Sequence, residues 1–125
     1  MTPLVVLLLV VAGGLGSVAR FVVDGAVRSR FVVAFPLGTV LINLTGSFVL
    51  GLLTGLTLAQ VLPDPVRLVV GTGFLGGYTT FSTATFETVR LVQERRFAAA
   101  LLNGLGTLVA TTALAGLGLV IGLAA

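Results

Sequence analysis

Two sets of hydroxyl and amide side chains recur at i, i+4, i+8 spacing within otherwise apolar sequence. The first set comprises Thr39, Asn43 and Ser47, and the second comprises Asn103, Thr107 and Thr111. Residues at this spacing share one face of an α-helix. Their neutral donors can bind a small, dehydrated anion in single file without trapping it. Hydrogen bonding between helices is the simpler explanation of a single stripe, but two matching stripes together with the broken helix predicted below favour a lined pathway.

The composition places the chain in the membrane class. Of its 125 residues, 57% are hydrophobic and only 9% are charged, which is too few for the surface of a soluble domain. There is no Cys or His, and no catalytic triad, metal cluster or phosphate loop can be assembled, so we predict that the chain is not an enzyme. The net charge of +3 does not indicate nucleic-acid binding, because the arginines stand singly or in pairs between apolar blocks.

Four apolar blocks separated by short polar links predict an all-α integral membrane protein. We expect transmembrane helices at about 3–26, 33–61, 65–93 and 97–123, within a single domain of residues 1–125. The first block has no basic region before it and stays apolar beyond its small residues, so we expect a retained helix rather than a signal peptide. Small residues at i, i+4, in Gly51/Gly55 and Gly118/Gly122, indicate close helix packing.

The third apolar block contains a segment that is poor helix-forming sequence. Residues 71–83 read GTGFLGGYTTFST, which combines four glycines with a cluster of hydroxyl side chains. Broken backbone at the depth of a bilayer is tolerated only where it is buried in protein or lines a cavity. We therefore predict a broken third helix, interrupted near Gly76 to Thr80 and facing a partner or a pore.

Two charged residues accompany these polar groups. Arg20 lies inside or near the end of the first helix, so its charge either faces an aqueous vestibule or extends to the membrane interface. Glu87 follows Thr80 by seven residues on the same helical face. Its simpler interpretation is a polar helix end, where it could pair with Arg90 at i+3.

Four stretches resemble the signatures of the small bacterial Fluc (CrcB-type) fluoride channels. They are 13–21 (GGLGSVARF), 38–51 (GTVLINLTGSFVLG), 73–83 (GFLGGYTTFST) followed by Glu87, and 103–107 (NGLGT). The resemblance runs in order through nearly the whole chain, and the second and third motifs are specific. It implies an antiparallel dimer of four-helix subunits in the cell membrane, with two separate pathways that export fluoride.

The resemblance also implies roles for individual residues. Asn43 would lie on a pathway, and Phe81 would present the positive edge of its ring to the ion. Thr107 and Thr111 would lie where the family keeps a hydroxyl track. Together with the stripes and the hydroxyls at the interruption, the candidate pathway residues are Asn43, Phe81, Thr39, Ser47, Thr80, Thr83, Thr107 and Thr111.

Further roles implied by the resemblance concern charge. Arg20 would stand at a vestibule and draw in anions, and Glu87 would lie near the end of the pathway. A structural Na+ at the dimer interface would be held by the backbone carbonyls of Gly76 and Thr79 from both subunits. Carbonyl dipoles are ordinary ligands for a hard cation.

Two features depart from a simple self-paired subunit. The family commonly has a second Phe three residues after the first, where this chain has Ala84. Phe86 is unlike that second Phe in direction, because two residues along a helix turn it about 200° away from Ala84. Arg67 stands nearly alone at one membrane face, whereas five arginines flank the other: Arg28, Arg30, Arg90, Arg95 and Arg96. Because positive charge favours the cytoplasmic side, this bias predicts that both termini lie outside. The second subunit is therefore either another copy or an oppositely oriented paralogue.

Two other functions are compatible with four short helices. A small dimeric drug or cation exporter would need a membrane-embedded carboxylate for proton coupling, and the first helix has none before Asp24. A non-transporting membrane scaffold would explain the glycine pairs, but it leaves the polar stripes and the predicted interruption without a purpose. A fluoride channel in the lipid bilayer accounts for more of the sequence.

Overall fold

The computed structural model describes all 125 residues, and every regular element is helical. We name the elements α1 to α5 in chain order. They are α1 (Pro3–Arg30), α2 (Leu37–Leu58), α3 (64–78), α4 (Ser82–Gln93) and α5 (Phe97–Leu123). Three of them, α1, α2 and α5, are long and apolar enough to cross a membrane. Gly51 meets Ala115 and Gly55 meets Leu119, so α2 and α5 run in the same direction.

The ends of α1 follow from local chemistry. Pro3 occupies the first turn, where its missing N–H is no loss, and the Thr2 hydroxyl accepts a hydrogen bond of 3.3 Å from the Val5 N–H. At the other end, the helix continues beyond the expected residue 26 to Arg30. Asp24 and Arg28 support this extension as an i, i+4 ion pair, with 3.0 Å between Oδ2 and Nε.

The boundaries of α2 are set by a proline and a left-handed residue. The helix begins at Leu37 rather than near residue 33, directly after Pro36, because a proline disfavours helical backbone in the residue before it. It ends at Leu58, and Gln60 then adopts a left-handed φ of 62°. Left-handed backbone at this position is a common way to terminate a helix.

The third block is divided into two helical elements. Within α3, the stretch Arg67–Leu75 has π-helical hydrogen bonding and contains Gly71 and Gly73. Helical backbone ends at Tyr78, Thr79 is extended with φ −78° and ψ 158°, and α4 begins at Ser82. A second π-helical stretch, Leu102–Gly106, lies inside α5. π-Helical turns widen the spiral locally and are frequent at functional sites.

Glycines bring α2 and α5 into backbone contact. A Cβ added to Gly51 would lie 2.0 Å from the Ala115 carbonyl oxygen, and one added to Gly118 would lie 2.3 Å from the Phe48 carbonyl oxygen. Gly55 and Gly122 face each other in the same way. The predicted packing role of both glycine pairs is confirmed, because no side chain larger than hydrogen fits at this distance.

A second close approach joins α1 to α3. A Cβ on Gly16 would meet the Phe74 carbonyl oxygen at 2.0 Å, and one on Gly77 would meet the Gly13 carbonyl oxygen at 2.1 Å. The Ser17 hydroxyl lies within hydrogen-bonding distance of the carbonyls of Gly13 (3.1 Å) and Gly77 (3.4 Å). The end of α3 is therefore held rigidly against α1.

Little of the chain is hidden from its surroundings. Only 17 of the 125 residues are buried, and large apolar side chains cover the outside of the long helices. A soluble protein of this size would bury far more of its apolar surface. The exterior is that of a protein surrounded by lipid, where interior packing is carried by small residues and interhelical hydrogen bonds.

Candidate functional site

A polar cleft of about 660 Å³ lies between α2, the α3–α4 junction and α5. It contains hydroxyl and amide side chains from both sequence stripes and from α3 and α4, and no ionisable residue. The polar residues that line it are Asn43, Ser47, Thr72, Thr79, Thr80, Thr85, Thr88, Asn103, Thr107 and Thr111. The cleft therefore offers neutral hydrogen-bond donors in an otherwise apolar protein.

The Asn43 carboxamide clamps the non-helical residues between α3 and α4. Its Nδ2 donates to the Thr80 carbonyl at 2.8 Å, and its Oδ1 accepts from the Thr80 N–H at 2.9 Å. Both bonds are buried, and the two Thr80 partners determine the positions of Nδ2 and Oδ1 in the Asn43 carboxamide. One N–H of Nδ2 remains for a ligand, because the amide has two.

This clamp changes the hydrogen bonding of α3. In a continuous α-helix the Thr80 N–H would donate to the Gly76 carbonyl, but it donates to Asn43 instead. The extended Thr79 directs its own carbonyl out of the helical ladder, while its hydroxyl donates to the Leu75 carbonyl at 2.8 Å. The Thr80 hydroxyl starts the next helix by accepting from the Thr83 N–H at 3.2 Å.

On the opposite wall, α5 presents the second stripe. Asn103 is buried, and its Nδ2 lies 2.8 Å from the Thr88 hydroxyl oxygen and 3.4 Å from the Ala84 carbonyl oxygen. The Thr88 hydroxyl in turn donates to the Ala84 carbonyl at 2.8 Å. Neither Ser47 nor Thr107 makes a side-chain hydrogen bond within the chain, so both hydroxyls can donate into the cleft.

One aromatic ring stands at the cleft. Phe81 is 86% exposed although it lines the cleft, so its ring projects from the surface of the single chain. Ala84 lines the cleft on the next helical turn and brings no ring. Phe86 is also exposed but lies outside the cleft, in keeping with its position on another face of α4.

A second, charged cleft of about 590 Å³ lies at the arginine-rich end of the molecule. Its ionisable lining residues are Asp24, Arg28, Glu87, Arg90, Glu94 and Arg96. Arg28 pairs with Asp24 and also approaches Glu87, with 4.0 Å between Nη2 and Oε2. The alternative pairing of Glu87 with Arg90 is wrong, because Arg90 turns to Glu94 at 3.6 Å.

The structure brings together most of the predicted pathway residues. Six of them line the polar cleft: Asn43, Ser47, Thr80, Phe81, Thr107 and Thr111. Gly76 and Thr79 line it as well. Thr39 is buried one turn before Asn43, whereas Thr83 and Arg20 are half-buried, and none of these three borders either cleft. Glu87 belongs to the charged cleft.

Three hydroxyl residues of the cleft were missed in the sequence. Thr72 lies one turn before Gly76, and Thr85 and Thr88 lie on the half of the third block that follows the interruption. A signal was present, since Thr88 follows Ala84 at i+4 and continues the cleft-facing side of α4. Thr88 was not predicted because its charged neighbours, Glu87 and Arg90, indicate a polar helix end rather than a cleft.

Comparisons with known proteins identify the family. The protein-family model described as "CrcB-like protein, Camphor Resistance (CrcB)" matches residues 7–119 of this chain. Fluoride-specific ion channel FluC 1 of Leifsonia xyli subsp. xyli is 61% identical over 122 residues, which is 98% of this chain and 89% of that protein. Fluoride-specific ion channel FluC 2 of Cutibacterium acnes is 46% identical over 116 residues, 89% of this chain and 91% of that protein.

A third relative bears the same name and is more than half identical to this chain over the matched residues. Fluoride-specific ion channel FluC 2 of Mycolicibacterium paratuberculosis is 54% identical over 91 residues, 73% of this chain and 71% of that protein. The family match begins within α1 and ends within α5, so it includes every element around the polar cleft. The chain is a multi-pass membrane protein that belongs to the CrcB family.

Proposed function

We propose that this chain is a subunit of a fluoride-selective channel in the cell membrane, and that fluoride moves along the polar cleft. One observation carries the proposal: hydroxyl and amide side chains make up half of the residues that line the cleft, and none of the lining side chains is ionisable. Such groups can replace the hydration shell of a small anion without holding it as tightly as a fixed cation would. The relatives named as fluoride-specific channels support the choice of ion.

Specific donors can be assigned along this route. The hydroxyls of Ser47 and Thr107 have no side-chain hydrogen bond within the chain, and Asn43 keeps one free N–H. Phe81 adds the positive edge of an aromatic ring at the cleft surface. Together they form a set of weak donors from facing helices, which suits an ion that must leave as readily as it binds.

A liposome experiment tests the function. Proteoliposomes loaded with KF or KCl are given a potassium ionophore, and anion release is followed with ion-selective electrodes. We expect fast fluoride release and little chloride release. Thr107→Val removes one cleft hydroxyl at nearly constant shape and is expected to slow fluoride about 10-fold, the effect of losing one strong hydrogen bond. Thr112→Val is the matched control, because that hydroxyl is exposed outside the cleft.

The outcome separates the competing functions. A scaffold releases neither anion, and a proton-coupled exporter gives release that depends on a proton gradient rather than on the ionophore. Equal rates for Thr107→Val and Thr112→Val would show that the cleft is not the route. Fluoride release from the wild-type chain, slowed only by the cleft variant, supports both the ion and the path.

The proposal includes a dimer of antiparallel subunits, each with four crossings. We treat α3 and α4 as one interrupted crossing that faces the partner at residues 79–81. The polar cleft opens on the surface of the single chain, where lipid would leave its polar groups unsatisfied. A second subunit would cover it. The arginine bias at one face favours an oppositely oriented paralogue, whereas a second copy of the chain is the simpler partner.

Purification separates these two partners. If the chain alone is isolated as an active antiparallel dimer, the partner is another copy. If the chain alone is well folded but inactive, and activity returns with a co-expressed paralogue, the partner is the paralogue. Cross-linking through single cysteines placed at the two ends of α2 reports orientation directly, because the wild-type chain has no Cys.

A structural Na+ at the subunit interface is part of the same proposal. The donors fit a hard cation: the Gly76 carbonyl is deprived of its helical N–H partner, and extended Thr79 removes its carbonyl from the helix. Nothing lies within 4 Å of a Cβ built on Gly76, which leaves room for a partner backbone. Replacing Na+ by N-methylglucamine during purification is expected to weaken the dimer. Unchanged dimer stability would count against the ion.

A further inference from the structure

The two clefts share one wall, the helix α4. Ala84 and Thr88 line the polar cleft, while Glu87 and Leu91 line the charged cleft from the same helical turns. The charged cleft also lies at the arginine-rich end, where α1 ends and α4 approaches its own end. An anion that moved from the polar cleft toward this end would pass the Glu87 carboxylate.

The surroundings of Glu87 are unusual for a carboxylate. Its side chain is 15% exposed, and its Oε1 is buried without any hydrogen-bond partner. Its Oε2 lies 4.0 Å from Arg28 Nη2. A poorly solvated negative charge raises the local barrier to any other anion, because screening by water is weak there.

The other charged groups around the cleft are engaged differently. Arg28 reaches Glu87 from α1 while holding Asp24 at 3.0 Å, and Arg90 is turned toward Glu94. Arg96 lines the cleft without an ion pair. Arg28, whose side chain is 67% exposed, is thus the one cation within 4.0 Å of the Glu87 carboxylate, and it comes from a different helix.

We propose that Arg28 is the countercharge of Glu87, and that it lets an anion pass this carboxylate at the arginine-rich mouth. The inference rests on the proposed function and adds a residue that neither polar stripe contains. Arg28 acts through Glu87 rather than by binding the ion, so it is a positioning and charge-balancing residue. The structural observation is a buried carboxylate on α4 approached by an arginine of α1 beside the charged cleft.

The test is a double-mutant cycle read as fluoride release from proteoliposomes. Arg28→Ala is expected to slow release about 3- to 10-fold, the size of one unbalanced charge in a partly hydrated site. In a Glu87→Gln background the same substitution should change the rate less than about 2-fold, because the buried carboxylate is gone and the only carboxylate that Arg28 still pairs with, Asp24, is partly exposed to water. Arg28→Lys should keep most of the wild-type rate, since it retains the charge. Raising impermeant salt should shrink the Arg28→Ala defect.

Arg30→Ala is the matched control, because Arg30 is exposed at the same end and borders neither cleft. It should release fluoride at close to the wild-type rate. If Arg28→Ala slows release by the same factor in both backgrounds, or matches Arg30→Ala, the inference is wrong while the proposed function stands. If the wild-type chain releases no fluoride, the proposed function fails and the inference fails with it.

Discussion

The polar cleft and the charged cleft have similar volumes and opposite chemistry. The first is about 660 Å³ and has no ionisable group, whereas the second is about 590 Å³ and contains six. The polar cleft is held by backbone geometry: glycine contacts, a helix interruption and the Asn43 clamp. The charged cleft is held by ion pairs on side chains that are mostly exposed.

This difference indicates where substitutions should have large effects. Rigid backbone contacts and buried hydrogen bonds are expensive to lose, while exposed ion pairs contribute little. Changes around the polar cleft should therefore abolish or strongly reduce function. Most changes around the charged cleft should be mild, with Arg28 and Glu87 as the exception that would sharpen the comparison.

The largest effect is expected at Gly77. In Gly77→Ala the new methyl would lie 2.1 Å from the Gly13 carbonyl oxygen, between two backbones that cannot both move. We expect loss of about 1–3 kcal/mol or more of stability and little folded protein. Thermal unfolding in detergent measures this. Gly14→Ala is the matched control, because nothing lies within 4 Å of its methyl, and it should leave the melting temperature nearly unchanged.

The next largest effect is expected from Asn43→Ala. The substitution leaves the Thr80 N–H and carbonyl without their buried partners, each worth about 1–3 kcal/mol. Fluoride release should fall about 100-fold or more, and the Thr80 amide should exchange its hydrogen faster. An unchanged exchange rate at Thr80 would contradict the clamp even if transport were lost.

A smaller effect on fluoride release should distinguish two exposed aromatic rings, Phe81 just before α4 and Phe86 within it. Phe81→Leu keeps an apolar side chain but removes the ring edge at the cleft, and fluoride release is expected to fall about 10-fold. Phe86→Leu removes a ring that lies outside the cleft and should change the rate little. Similar losses in both variants would mean that the ring matters only for packing.

The smallest effect is expected from the outer ion pair of the charged cleft. The side chains of Arg90 and Glu94 are 67% and 46% exposed, with 3.6 Å between Nε and Oε2. Such a pair contributes about 0.3–0.5 kcal/mol. Glu94→Gln should therefore change the fluoride release rate and melting temperature only slightly. A loss as large as that of Phe81→Leu would show that the charged cleft depends on this pair after all.

Much of the molecule could be predicted because lipid leaves few choices. Apolar blocks of sufficient length become helices, and the glycine pairs Gly51/Gly55 and Gly118/Gly122 pack as expected. The stripes of α2 and α5 meet in one cleft because helical periodicity fixes which residues share a face. Helix formation and the grouping of each stripe on one helical face depend on local sequence alone, whereas their meeting depends on how α2 packs against α5.

Other features depend on contacts between distant residues. The pairing of Asn43 with Thr80 joins positions on different helices, and no spacing rule connects them. Arg28 was recognised only as one of several arginines, since its approach to Glu87 depends on how α1 lies beside α4. The buried position of Thr39 likewise follows from packing, because its stripe alone groups it with Asn43.

The Asn43–Thr80 clamp also has a consequence for biogenesis. The polar backbone at Thr80 is satisfied by a side chain on α2, which lies 37 residues earlier in the chain. During synthesis α2 is therefore made before the segment whose backbone it satisfies. We therefore expect the order of residues along the chain to shorten any stage in which the backbone between α3 and α4 has unpaired amides in lipid.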